Sequence, residues 1–266
     1  MNKDYTSVSV VYYSPTRTSK KIAESIAKGI TSEKFDVIDL TTDIDTDIIE
    51  ISTDWVILAS PVYAGRIPVE AVERFKRIKA ERKDGNKTKA IVAVVYGNRD
   101  YDDALLELKN LAESLELVPV SGGAFIGEHS FSRELMPVGG GRPDEKDLEI
   151  AKNFGKNTLE TIKGGINKEL SVKGNMPYCN HMEIPPVCPE STEHCNNCGK
   201  CISVCPVHAI TLVDNKIVTD AEKCTLCCAC VKMCPNKARV FDTPFTKMLF
   251  DNCKTRREPE LYYIKD

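Results

Sequence analysis

The sequence predicts an α/β chain: a doubly wound domain on a parallel sheet, followed by a small cysteine-rich unit. Over residues 1–165, short apolar runs alternate with amphipathic stretches, as strands do when helices return the chain across a sheet. Several of these runs are apolar almost without a break, as strands covered on both faces must be. All 12 cysteines lie from Cys179 onward, so the composition changes where the first domain ends.

Five runs read as strands: Val8 to Tyr12, Phe35 to Leu40, Trp55 to Ser60, Ala90 to Tyr96 and Leu117 to Ile126. Helical faces lie between them. Ile22, Ile26 and Ile30 share one; Val69, Val72, Phe75 and Ile78 a second; Leu105, Leu108, Leu111, Ala112 and Leu115 a third. A last helix starts at Pro143, with Asp144 and Glu145 in its first turn, and stops at Gly164-Gly165. Residues 166–190 hold Pro177, Pro185, Pro186 and Pro189 and have no periodicity, the mark of an extended surface linker. Residues 191–242 form the cysteine-rich domain, and 243–266 read as a charged, solvated tail carrying Lys254, Arg256 and Arg257.

The 36 basic and 39 acidic side chains nearly cancel, which leaves no basic footprint for nucleic acid or an anionic membrane. Residues 1–12 are too short and too polar for a signal peptide or a membrane span, so the expected location is the cytoplasm. In that reducing compartment clustered cysteines point to metal rather than to disulfides.

The cysteines are ordered. Cys195-x2-Cys198-x2-Cys201-x3-Cys205-Pro206 recurs 29 positions later as Cys224-x2-Cys227-x2-Cys230-x3-Cys234-Pro235. Three thiolates two residues apart can wrap one face of an iron–sulfur cubane, and the fourth iron needs a ligand from elsewhere. Zinc is the rival metal, but it fits this threefold-plus-one spacing poorly. The segment resembles a bacterial two-cluster ferredoxin. That resemblance implies a small α+β domain in which Cys195, Cys198, Cys201 and Cys234 hold one 4Fe-4S cluster and Cys224, Cys227, Cys230 and Cys205 hold the other. Cys179, Cys188, Cys228 and Cys253 stand outside the pattern and read as free thiols; His194 and His208 read as surface histidines.

The turn after the first strand is Ser14-Pro15-Thr16-Arg17-Thr18-Ser19-Lys20 and leads straight into a helix. Hydroxyls and free amides at a helix N-terminus suit a phosphate monoester. The turn resembles the phosphate loop of flavodoxins, with Arg17 where many of them have glycine. Ser60-Pro61-Val62-Tyr63-Ala64-Gly65 follows the third strand and Tyr96-Gly97-Asn98-Arg99-Asp100-Tyr101 the fourth. The resemblance implies a flavodoxin-like five-stranded parallel sheet of order 2-1-3-4-5, whose switch point brings these loops to one crevice. It also implies FMN in that crevice, Tyr63 and Tyr101 as ring-stacking candidates, and the Ala64-Gly65 peptide against flavin N5. Gly127 to Ser132, with His129, and Gly139 to Arg142 either border the flavin or are plain loops. No G-x-G-x-x-G follows any strand, so a nicotinamide fingerprint is absent.

The order of the segments resembles the flavodoxin–ferredoxin fusion proteins of anaerobic microorganisms. The expected function is electron transfer, with one-electron clusters coupled through FMN to another carrier. An FMN-dependent reductase of a small molecule and a redox-sensing binding module are the alternatives. The external partner, a redox protein or a small-molecule acceptor, and a homo-oligomeric state are left open.

Overall fold

Val8, Val10 and Val11 are covered from both sides, which places the first strand inside a sheet. The computed structural model describes residues 6–264 apart from 83, 164, 166, 167, 182 and 184. Its first part runs β1 (Val8–Tyr12), α1 (Thr18–Ile30), β2 (Asp36–Asp39), β3 (Ile49–Ile51), β4 (Trp55–Pro61), α2 (Val69–Phe75), β5 (Ile78–Ala80), β6 (Lys89–Tyr96), α3 (Ala104–Ser114), β7 (Val118–Ile126) and α4 (Glu145–Thr161). The rest holds β8 (Glu190–Ser191), α5 (Lys200–Ser203), β9 (Ile210–Val213), β10 (Lys216–Thr219), α6 (Ala229–Lys232), β11 (Arg239–Val240), α7 (Pro244–Cys253) and β12 (Glu260–Tyr263).

The main sheet has the order β12-β7-β6-β4-β1-β2. Its five parallel strands are those read from the sequence, in the 2-1-3-4-5 order of a flavodoxin-like fold. The register aligns Tyr12 with Ala59, and Pro61 with Val95 and Phe125, so four loops leave the same edge of the sheet. Helices α1 and α4 pack backbone to backbone. A Cβ on Gly29 would lie 2.0 Å from the Lys152 carbonyl oxygen, and one on Gly155 would lie 2.2 Å from that of Ile26. Helix α4 opens with a capping box: Asp144 accepts from the Asp147 amide, and Asp147 accepts from the Asp144 amide.

Three expectations are corrected. The sheet has a sixth strand, β12, antiparallel to β7. Residues 243–266 are therefore not a solvated tail, and the first domain takes its last strand from beyond the cysteine-rich unit. Leu261, Tyr262, Tyr263 and Ile264 are apolar enough to cover the open edge of β7, and Ile264 is in the core. Ile78 does not belong to the second helix; it starts β5, which pairs with β3.

The linker is fastened rather than free. Leu170 joins the core, the buried Asp103 carboxylate accepts from the amides of Asn175 (2.8 Å) and Cys179 (2.6 Å), and Tyr178 lies under the Arg66 guanidinium. In the cysteine-rich unit the 29-residue repeat is structural as well. Helix α6 falls 29 positions after α5, and the left-handed residues Asn197, Gly199 and His208 recur as Leu226, Cys228 and Lys237.

Candidate functional site

The loop between β1 and α1 turns on Arg17, whose φ of 63° lies in the left-handed region. The residue that stands where a glycine is common thus adopts the conformation that glycine would supply. The loop is braced from within: the Ser14 Oγ accepts from the Lys20 amide (3.1 Å), and the Ser14 amide donates to Thr41 Oγ1 (2.9 Å). Thr16 and Thr18 hydroxyls lie 3.5 Å apart. Ser19 Oγ is fully buried and has no partner among the described residues, and the first amides of α1, those of Thr18 and Ser19, have no intrahelical acceptor. A buried hydroxyl without a partner beside free amides fits an anionic oxygen, here the phosphate of a flavin mononucleotide.

Beyond β4, Tyr63 and Arg66 exchange backbone hydrogen bonds of 2.8 and 3.1 Å around Ala64 (φ 50°) and Gly65 (φ 87°). The turn is tight on its inner side, since a Cβ on Gly65 would lie 2.4 Å from the Asp102 carboxylate. Arg66 holds it to α3 through Glu107 (2.7 and 2.8 Å) and to the linker through the Cys179 carbonyl (2.6 Å). Ser60 is buried and its Oγ donates to the Pro61 carbonyl (3.0 Å); the Val62 amide donates to the Val95 carbonyl (3.0 Å). Tyr63 is half-buried. Its phenol ionises well above the usual range, first because it is desolvated and then because Cys227, Tyr13, Glu70 and Cys228 surround it.

The loop after β6 differs from expectation. Tyr101 is not a ring-stacking residue: it is fully buried, its ring lies against Tyr96 (centroids 5.4 Å apart), and its hydroxyl binds Glu260 Oε2 (2.6 Å) and the Tyr262 hydroxyl (2.8 Å). The C-terminal strand, unread in the sequence, supplies those partners. Tyr96 is buried as well. Asn98, at φ 65°, donates to the carbonyls of Cys253 and Thr255, so the C-terminal segment also walls this side of the crevice. Gly97 leaves room for His129, since a Cβ there would lie 2.3 Å from the imidazole Cδ2.

His129, left open by the sequence, thus sits on the crevice backbone. Its Nδ1 accepts from the Phe131 amide (3.0 Å), which puts the proton of the neutral ring on Nε2. Burial, then Lys232, Arg99 and Arg133, push its pKa down to about 4. Ring contacts continue from His129 to Phe131 (5.3 Å) and from Phe131 to Phe241 of the cysteine-rich unit (5.5 Å). Neither aromatic carried a sequence signal beyond its loop position.

The eight motif cysteines line two cavities. One is bordered by Cys195, Cys198, Cys201 and Cys234, the other by Cys205, Cys224, Cys227 and Cys230 with Cys228. Each cavity therefore takes three cysteines from one half of the repeat and one from the other. Burial pushes the thiols of Cys201, Cys224, Cys227 and Cys230 up, that of Cys230 to about 11, so cationic iron in the cavities would favour their thiolates at neutral pH. The donor set and its spacing fit a cubane in each.

The second cavity faces the first domain. Arg74 donates to the carbonyls of Leu40 (3.0 Å), Thr41 (2.7 Å) and Pro206 (2.6 Å), so one guanidinium ties the phosphate-loop side of the crevice to the residue after Cys205. Lys232, two residues after Cys230, pairs with Glu128 (2.5 Å) and donates to the Ser132 carbonyl (2.9 Å). His208 Nε2 is 3.3 Å from the Thr42 carbonyl.

Two family models match the chain in succession: Flavodoxin over residues 10–117 and 4Fe-4S dicluster domain over 194–238. The chain has the layout of a flavodoxin–ferredoxin fusion. Similar solved structures cover the flavodoxin part. A flavodoxin from the domain Archaea is 16% identical over 59% of this chain and 99% of its own, with a TM-score of 0.38. A two-electron reduced Megasphaera elsdenii flavodoxin is 15% identical over 57% and 98%, with a TM-score of 0.38. An apo NADH:FMN oxidoreductase is 15% identical over 58% and 88%, with a TM-score of 0.42. No curated protein matches the chain. A flavodoxin domain implies FMN and a dicluster domain implies iron–sulfur clusters, so the fusion has an electron-transfer or oxidoreductase role. Among the described residues, no helix is long and apolar enough to cross a membrane.

Proposed function

We propose that the fusion is an electron-transfer protein that couples one-electron and two-electron carriers. Cys195, Cys198, Cys201 and Cys234 hold one 4Fe-4S cluster, and Cys224, Cys227, Cys230 and Cys205 hold the other. Ser14, Thr16, Thr18, Ser19 and the backbone at Arg17 take the FMN phosphate. Ser60, Pro61, Val62, Tyr63, Ala64 and Gly65 form one wall of the flavin crevice, and Tyr96, Gly97 and Asn98 with His129 form the other. Bound FMN supplies a centre able to hold one or two electrons, and each cubane supplies a one-electron centre. The site of action is the cytoplasm, where thiols stay reduced, and the external partner is a redox protein or a small-molecule acceptor.

The observation that carries this reading is the seam between the second cavity and the flavin crevice. Arg74, Lys232 and Glu128 hold that cavity against the loops on which the flavin would rest, and Cys227 and Cys228 are close enough to Tyr63 to help raise the pKa of its phenol. Such a seam fixes one orientation of the two domains, and electron exchange between them then needs no encounter. Rapid mixing with dithionite, followed by flavin absorbance at several protein concentrations, tests it. A flavin reduction rate independent of protein concentration is expected; a rate proportional to concentration would overturn the single-chain path.

A small-molecule reductase is the second reading, favoured by His129. Its neutral ring keeps an Nε2 proton at the crevice across pH 5 to 8, which suits a hydrogen bond to a substrate. Turnover of a soluble acceptor that disappears on His129→Asn, with cluster-to-flavin rates intact, would decide for it.

A further inference from the structure

The 29-residue repeat makes each half of the ferredoxin unit a control for the other. Cys205, Pro206, Ala209 and Ile210 of the first half correspond to Cys234, Pro235, Ala238 and Arg239 of the second. Ile210 and Arg239 are equally buried, each 3% exposed. The fold therefore accepts an apolar side chain at this place, and the guanidinium answers some other need.

Its bonds do not neutralise it. Nη1 donates to Ser191 Oγ (3.0 Å), Nη2 donates to the Pro189 carbonyl (2.6 Å) and to Thr219 Oγ1 (2.7 Å), and Nε has no partner among the described residues. All three acceptors are uncharged, and among the described residues no carboxylate pairs with this arginine. A guanidinium stays charged in a protein, and an isolated buried charge is strongly unfavourable unless an opposite charge is near. Arg239 borders the cavity of Cys195, Cys198, Cys201 and Cys234, and its Nη2 is 3.9 Å from Sγ of Cys230, which lines the other.

We propose that Arg239 is a shared counter-ion of the two clusters, a positioning residue for charge that sets both reduction potentials. The inference rests on the two-cluster reading above. Each cluster gains one negative charge when it takes one electron from an external reductant, and no bond is made or broken. A fixed positive charge between the clusters favours the reduced state of each and offsets their mutual repulsion when both are reduced. Iron–sulfur potentials respond to net charge and to hydrogen bonds at sulfur, and Arg239 offers both.

The test uses the full-length holoprotein with iron and sulfide counted, and dithionite titrations at controlled potential read by EPR. At the potential where wild-type clusters are half reduced, R239I and R239Q should lower the reduced-to-oxidised ratio at least tenfold, a shift of about 59 mV for a one-electron couple. R239K should stay close to wild type. Fully loaded R239I and R239Q with unchanged potentials, or an R239K that behaves like R239Q, would overturn the proposal. If R239I does not load, the comparison of Lys with Gln decides alone. Loading by R239K but not R239Q supports the need for charge, and failure of both assigns Arg239 to the fold instead. A wild-type protein without iron and sulfide would overturn the cluster reading itself, a separate outcome.

Discussion

Lowering the pH should destabilise the flavodoxin domain through His129, by an amount that can be worked out. The unfolded imidazole titrates at 6.5 and the folded one at about 4, held down first by burial and then by Lys232, Arg99 and Arg133. Between those values the unfolded chain binds a proton that the folded chain refuses, so stability falls as pH drops through 6.5 and stops falling below 4. Between pH 7 and pH 5 this linkage amounts to about 2 kcal/mol. The carboxylates also titrate, so the measurement needs a partner protein that lacks only this imidazole. His129→Asn is suitable because its amide oxygen can take over the bond from the Phe131 amide, 3.0 Å from Nδ1 in the wild type. Urea unfolding can be followed through Trp55, the chain's one tryptophan, which is buried in β4. The stability difference between wild type and H129N should shift by about 2 kcal/mol between pH 7 and pH 5, with wild type losing more. Parallel pH curves for the two proteins would show that His129 is not held neutral.

The other expectations concern cofactors and the C-terminal strand. Ser19→Ala should weaken FMN by roughly tenfold or more, the scale of one hydrogen bond to a charged group, and leave riboflavin unchanged; equal weakening of both in fluorescence titrations would remove the phosphate from this loop. Cys205→Ala should abolish the EPR signal of the cluster held by Cys224, Cys227 and Cys230 and spare the one nearer in sequence, and loss of the other signal would break the crossed ligation. Gly97→Val should displace His129, whose ring would lie 2.3 Å from a Cβ there, and lower FMN affinity with little effect on iron content, as flavin fluorescence and iron assay would report. Tyr101→Phe removes the hydroxyl that joins the loop to Glu260 and Tyr262, which stay bonded to each other at 3.1 Å, and should cost about 0.5–1.5 kcal/mol in urea unfolding; no loss would mean that the C-terminal strand does not hold the loop.

What the sequence could reveal was whatever local pattern encodes. Continuous apolar runs at Val8, Trp55 and Ala90 announce strands covered on both faces, and the hydroxyl-rich turn before α1 announces an anion site. The duplicated cysteine spacing needs no tertiary knowledge at all, because the geometry of a cubane constrains residues three and four positions apart. Residues far apart in the chain carry no such pattern. Leu261 to Ile264 look like a short apolar stretch in a charged tail until the open edge of β7 is seen beside them. Tyr101 resembles a flavin-stacking loop tyrosine until Glu260 and Tyr262 draw its hydroxyl inward. His129, Phe131 and Phe241 become one contact line only after the domains meet, and Arg239 becomes a buried unpaired charge only once both cavities are built around it. Thus periodicity marked the buried strands and cysteine spacing marked the iron–sulfur motif, while the strand order and FMN were implied by the resemblance to flavodoxins. Which cysteine-lined cavity faces the first domain, and which side chains pack at that seam, was decided by long-range packing, because burial and charge pairing depend on neighbours that sequence separation hides.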